Sequence, residues 1–201
     1  TIGSAVATSD PFESVQSGTS VQVTADQIKT YTNTGPSLIV TNDLPFFGTY
    51  PILSSMTDGT DSACSNGDIY WASVFIPHSA TLTGIQYLNG SVVGTNRVIV
   101  ALYDNAGALV ANSALSGAVT VGANTMQKVA FTSTEAATGP NYYYIAVQFN
   151  GTTDKFRTIP ANTICNAITI ANSDPGTFGT LPTIIPGSTF VANQGPIAYT
   201  Y

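Results

Sequence analysis

Arg97–Ser113, RVIVALYDNAGALVANS, is the stretch whose reading decides the fold. Two strand-like runs, RVIVALY and ALVANS, flank Asp104-Asn105-Ala106-Gly107, which has Asp at the first and Gly at the last position of a type I turn. That pattern predicts a β-hairpin. In RVIVALY both alternating sets are apolar, with Val98, Val100 and Leu102 against Ile99, Ala101 and Tyr103. Neither face of such a strand meets water, so it belongs inside a packed layer.

The rest of the chain repeats the signal. IYWASVFIP from Ile69 places Trp71 and Phe75 on one side and Tyr70, Val74 and Ile76 on the other. Pro77-His78-Ser79 then turns into ATLTGIQYL, which ends at Asn89-Gly90. Gly117–Asn124 reads as a glycine-punctuated loop, followed by MQKVAFTS, where Gln127, Val129 and Phe131 share a face opposite Lys128. In YYYIAVQFN, Tyr143, Ile145, Val147 and Phe149 form a core face, and Tyr142, Tyr144 and Gln148 a half-exposed one. DKFRTI (Asp154–Ile159), ICNAITI (Ile164–Ile170) and the terminal IAYTY read as further short strands.

The flanking stretches are less regular. Thr1–Ser20 has the composition of an extended arm that needs a neighbour to become ordered. Val21–Tyr31 reads as a strand running into about one helical turn, because Thr24-Ala25-Asp26-Gln27 has capping-box spacing. Ser37–Val40 is a short apolar strand, and Leu44–Leu53, bracketed by Pro45 and Pro51, a packed loop or edge. The Pro- and Gly-rich segment 173–195 is too broken for a regular element and too apolar to hang free, so it lies across the sheets or on a partner subunit. The expected fold is all-β, an antiparallel two-sheet β-sandwich of jelly-roll type with an extended N-terminal arm. Residues 1–45 form the arm and a short strand and turn segment, and 46–201 the sandwich domain.

Composition sets the environment. Of 201 residues only 8% are charged, against about 25% in an ordinary soluble domain. Ser, Thr, Asn and Gly take the places of Lys and Glu, giving a polar but uncharged surface. Two Glu, three Lys and two Arg beside 18 Gly and 11 Pro exclude long helices. A net charge of −6, with Lys29, Arg97, Lys128, Lys155 and Arg157 scattered, argues against a nucleic-acid surface. No apolar run is long enough to span a bilayer as a helix, and no signal-like segment opens the chain; what preceded Thr1 stays open.

Candidate chemistry is sparse. Cys64 and Cys165 fit one disulfide or two buried thiols, and their spacing excludes a structural zinc site. The sequons at Asn89 and Asn150 read as turns. His78, the only histidine, follows a proline with no nucleophile elbow nearby, and reads as a turn residue rather than a catalytic base. Neither Glu13 nor Glu135 pairs with a second acid as glycoside hydrolysis requires. No phosphate loop or dinucleotide fingerprint is present. The chain is expected to carry no catalytic site and no cofactor. Met56–Asp68 reads as a turn-rich loop; its Asp58, Asp61, Asn66 and Asp68 offer calcium-type ligands, but no Glu closes an EF-hand, and solvated Asx-turns are the plainer reading. Trp71, Tyr142 and Tyr144 are the candidates for an aromatic sugar platform; the plainer alternative places Trp71 in the core and the tyrosines against a neighbouring strand or subunit.

Ile69–Tyr201 also resembles a known family. The motifs LYDxxGxLVAxS and YYYIAVQFNGTT, with IPHSATLTGIQYL, MQKVAFTS and the terminal GPIAYTY, resemble β-sandwich proteins encoded among the virion genes of tailed bacteriophages. Such domains serve as head-decoration, fibre or tail-associated subunits. The resemblance implies a non-enzymatic structural subunit located in the virion, assembling with itself and with other virion proteins. The alternative from another class is an extracellular carbohydrate-binding module that uses the aromatic face, with calcium at Asp58, Asp61 and Asp68.

Overall fold

The computed structural model describes residues 11–16, 19–24, 47–50, 55, 57–161, 169–187 and 189–201. The chain divides into two compact units, Thr1–Leu44 and Pro45–Tyr201. Every strand pairing is antiparallel, and no sheet closes into a barrel.

In the first unit, β1 (Pro11–Gln16), in the stretch read as an extended arm, pairs with β2 (Thr19–Thr24), which contains the start of the strand expected from Val21. The register sets Phe12 opposite Val23, Glu13 opposite Gln22 and Ser14 opposite Val21. The expected helical turn after Thr24 and the strand at Ser37–Val40 lie outside the described residues.

In the second unit the strands are β3 (Thr60–Ala63), β4 (Ile69–Ile76), β5 (Ala80–Leu88), β6 (Arg97–Tyr103), β7 (Leu109–Asn112), β8 (Ala118–Val119), β9 (Met126–Ala137), β10 (Asn141–Phe149), β11 (Lys155–Thr158), β12 (Ala171–Asp174) and β13 (Ala198–Thr200). A six-stranded sheet runs β12-β4-β10-β6-β7, with β8 also on β6; a three-stranded sheet runs β13-β5-β9; β3 and β11 form a pair. The hairpin expected at Arg97–Ser113 is β6–β7. The Asp104 amide donates to Ala108 O, the Gly107 amide to Asp104 O, and Asp104 Oδ1 accepts from the amides of Ala106 and Ala108, each at 2.9–3.0 Å. Gly107 has φ +82°, and a Cβ there would strike the carbonyl of Ile184, so the turn admits little else.

The main core cluster draws on both larger sheets: Tyr70, Val74 and Ile76 from β4, Ile85 and Tyr87 from β5, Val98, Val100 and Leu102 from β6, Val129 and Phe131 from β9, and Tyr143, Ile145, Val147 and Phe149 from β10. The alternation expected for β4, β9 and the inward side of β10 is therefore the packing observed. The opposite face of the six-stranded sheet carries a second cluster, Ile69, Trp71, Ala101, Tyr103, Tyr144 and Ala146, which is closed by Ile184 with Leu181 and Ile170. Burial on both sides is why RVIVALY needs no polar face.

Three sequence readings change. β3 forms inside the turn-rich loop and β8 inside the glycine loop; at four and two residues both are too short to announce themselves, and β3 is also polar. Of the strand expected at Ile164–Ile170, residues 164–168 lie outside the described residues, and β12 follows at Ala171–Asp174. Tyr144 and Gln148 were expected half-exposed and are buried, because a distant segment covers them. One edge of each larger sheet is capped by irregular chain: the Thr49 amide donates to Ala198 O and the Thr200 amide to Phe47 O along β13, and the Val191 amide donates to Ala171 O on β12.

Candidate functional site

The covered face of the six-stranded sheet is where a ligand platform was expected. Trp71 on β4 and Tyr144 on β10 meet edge to face, with ring centroids 5.3 Å apart. Neither is available: Trp71 is fully buried and Tyr144 nearly so. Trp71 Nε1 donates to Asp174 Oδ2 at 2.7 Å, giving the indole a polar partner at the sheet margin.

Their cover is the Pro- and Gly-rich segment, here a strap over 175–187. Gln148 anchors it from β10. Its Oε1 accepts the Gly179 amide at 3.1 Å, while Nε2 lies 2.8 Å from Gly67 O and 3.2 Å from both Thr177 O and Thr180 O. Ile184 is buried, and its amide donates to Gly107 O at 3.0 Å. Beneath it the hydroxyl of fully buried Tyr103 has no hydrogen-bond partner among the described residues. Burial, and then the nearby Asp174 charge, push the Tyr103 hydroxyl up from its usual range; burial does the same to Tyr144.

The strap leaves one part of the face open. Phe75 and Tyr142, opposite each other in the β4–β10 register, are 47% and 53% exposed, with ring centroids 5.1 Å apart and planes tilted by 49°. Of the three expected platform residues, then, only Tyr142 reaches solvent, and its companion is Phe75. The sequence held a signal for it: Phe75 shares the Trp71 face and falls level with Tyr142 once β4 and β10 pair.

The candidate calcium ligands are not brought together. Among the described residues no three His, Cys, Asp or Glu side chains cluster as a metal site. Asp61 is instead a knot of protein contacts: Oδ1 accepts the Ser91 amide at 2.9 Å, and Oδ2 accepts Ser91 Oγ at 2.5 Å and Lys155 Nζ at 3.2 Å. Arg157 Nε stands 3.9 Å from Oδ1. Burial raises the Asp61 pKa, but the two bonds from Ser91, that from Lys155 and the Arg157 charge outweigh it, and the carboxyl is held below its ordinary value. Asp58 Oδ2 accepts the Ser55 amide at 3.0 Å, reaching back three residues as the acid of a capping box does, while the Asp58 amide donates to Ser55 O.

A buried polar network escaped the sequence reading. Asp154, fully buried, accepts the Asn96 amide at 2.9 Å, the Thr95 amide at 3.3 Å and the Thr120 hydroxyl. Cys64 is a free thiol, which resolves the two cysteine alternatives for this residue; Cys165 lies outside the described residues. Its Sγ accepts from Asn96 Nδ2 at 3.2 Å and lies 3.0 Å from Asp154 O and 3.1 Å from Gly151 O. Burial pushes the thiol up, away from the reactive thiolate. Gln127 continues the network, accepting Tyr87 OH, Asn89 Nδ2 and the Val121 amide. Nothing local marks Asp154 or Cys64; their partners come from loops 30 to 90 residues away.

His78 is exposed, with Nδ1 3.3 Å from Ser79 O and its ring edge-on to Phe47 at 5.5 Å. Glu135 lies on β9 opposite Leu82, and Glu13 on the separate β1–β2 hairpin. No protein-family model, curated protein or solved structure matches the chain.

Proposed function

We propose that this chain is a non-enzymatic structural subunit of a tailed-phage type of particle, a capsid-decoration or tail-associated protein that assembles with itself and with neighbouring virion proteins. In this reading residues 45–201 are a two-sheet sandwich of jelly-roll type, with the main core cluster between the sheets, and the hairpin unit serves attachment. The observation that carries the reading is the Phe75–Tyr142 pair, two exposed aromatic rings on strands without a single Asp, Glu, Lys or Arg. Aromatic side chains on an uncharged patch are the composition of an interface centre. The capped sheet edges and the low charge of the whole chain support it: contact between copies goes through faces rather than through open strands. The resemblance of Ile69–Tyr201 to virion proteins supplies the class of assembly.

The saccharide-module reading retains one of its three rings, Tyr142, because the strap occupies the space above Trp71 and Tyr144. Light scattering on the full chain tests the proposal. The wild type self-associates, and a double variant, Phe75→Ser with Tyr142→Ser, is monomeric with an unchanged circular dichroism spectrum. A wild type that stays monomeric and binds neutral glycans through Tyr142 would overturn the assembly reading in favour of the module.

A further inference from the structure

The connection between β5 and β6 is held in an unusual way. Of its amides, Gly90 donates to the Lys155 carbonyl and Gly94 to Thr120 Oγ1, while Ser91, Thr95 and Asn96 donate to carboxylates. Two carboxylates therefore take the amides at its two ends, and the segment's carbonyls accept the Asn124 amide at Gly90, the Lys155 amide at Val92 and the Thr120 amide at Asn96. Asp61, on β3, takes both the amide and the hydroxyl of Ser91 and is faced by Lys155 and Arg157 from β11. It sits so close over Gly90 that a Cβ at that position would strike Oδ1. Asp154, just before β11, takes Thr95 and Asn96 from the connection and Thr120 from the end of β8; Cys64 and Tyr87 are titratable groups whose own protonation feels its charge.

The underside of this segment covers the thiol. Asn96, itself buried, places Nδ2 on Cys64 Sγ, and Cys64 is 3% exposed. The outer residues Ser91, Val92, Gly94 and Thr95 are all exposed, so little apolar packing backs the polar ties. A segment with few buried contacts and side-chain hydrogen bonds at its ends opens locally rather than with the whole fold.

We propose that residues 91–96 are a lid over Cys64, latched shut at one end by the Asp61 carboxylate and at the other by the Asp154 carboxylate. Neutralising either latch weakens charge-assisted hydrogen bonds and raises the population of the open form. Cys64 is the reporter, since its thiol meets solvent reagents only when Asn96 swings away.

The test is the rate at which a disulfide reagent, 4,4′-dithiodipyridine, modifies Cys64 in the folded full-length chain, followed by peptide mapping so that Cys64 is read apart from Cys165. In Asp61→Asn the Cys64 rate rises about tenfold over wild type, from the loss of a charged hydrogen-bond set. The rise is independent of low urea concentrations, the mark of a local opening. Asp154→Asn raises it further, and Lys128→Ala, which removes a contact with the Tyr201 ring 4.8 Å away, leaves it unchanged. Should Asp154→Asn fail to fold, Asp61→Asn and Ser91→Ala suffice. A Cys64 rate in Asp61→Asn equal to wild type, or one that climbs steeply with urea as global unfolding does, would overturn the lid.

Discussion

The outer face of the six-stranded sheet holds two aromatic pairs of the same make. Trp71–Tyr144 and Phe75–Tyr142 both join β4 to β10, with centroids 5.3 and 5.1 Å apart, yet the first is buried and the second open. Strand alternation treats the four rings alike. What separates them is where the strap ends, and the strap belongs to a part of the chain remote from both strands. Core membership on this face is thus assigned by a tertiary cover and not by the local pattern.

The largest effect that breaks the comparison comes from its buried side. Trp71→Ala removes a packed ring and leaves Asp174 without its donor, and costs about 3–5 kcal/mol in chemical denaturation. Next is the anchor of the cover. Gln148→Ala takes the acceptor from the Gly179 amide and a donor from the Gly67, Thr177 and Thr180 carbonyls, costing about 1–3 kcal/mol, and the loss of amide-exchange protection is concentrated in 176–181. If both variants proved neutral, the strap would not be the cover described.

Acid sharpens the contrast between strap and lid. The Gln148 anchor does not titrate, whereas Asp61 does. Its folded pKa lies below the ordinary 3.8, so its contribution is fully present above that value and is lost as pH falls through the folded pKa. Asp61→Asn therefore loses about 1 kcal/mol at neutral pH and shows a shallower decline of stability below pH ~4 than wild type. A wild-type curve parallel to that of the variant in acid would contradict the assignment. The smallest effect is on the open pair: Phe75→Ser changes stability by about 0.5 kcal/mol or less, its consequence falling on association instead.

How much of this was legible follows from the same contrast. β4, β5, β6 and β10 are readable because their apolar sets are complete and the turn at Asp104–Gly107 carries its own chemistry. The inward faces of Val129–Phe131 and Tyr143–Phe149 follow from alternation alone. Gln148 defeats the reading because a polar residue on an outward position is expected to face water; here it satisfies the backbone of a strap that has no ladder of its own. β1 escapes because Pro11–Gln16 carries no alternating apolar set, whereas the strand expected from Val21 is part of β2. Asp154 and Cys64 acquire their roles through loops scattered along the chain, a relation that no window of sequence contains.

Trp71 is the only tryptophan, so its fluorescence reports on the cover with no competing signal. Acrylamide quenching of the wild type, beside Gln148→Ala, tests the central claim. The account predicts a blue-shifted emission almost inaccessible to acrylamide in the wild type, with quenching rising in the variant as the strap loosens. A red-shifted, freely quenched tryptophan in the native protein would contradict it.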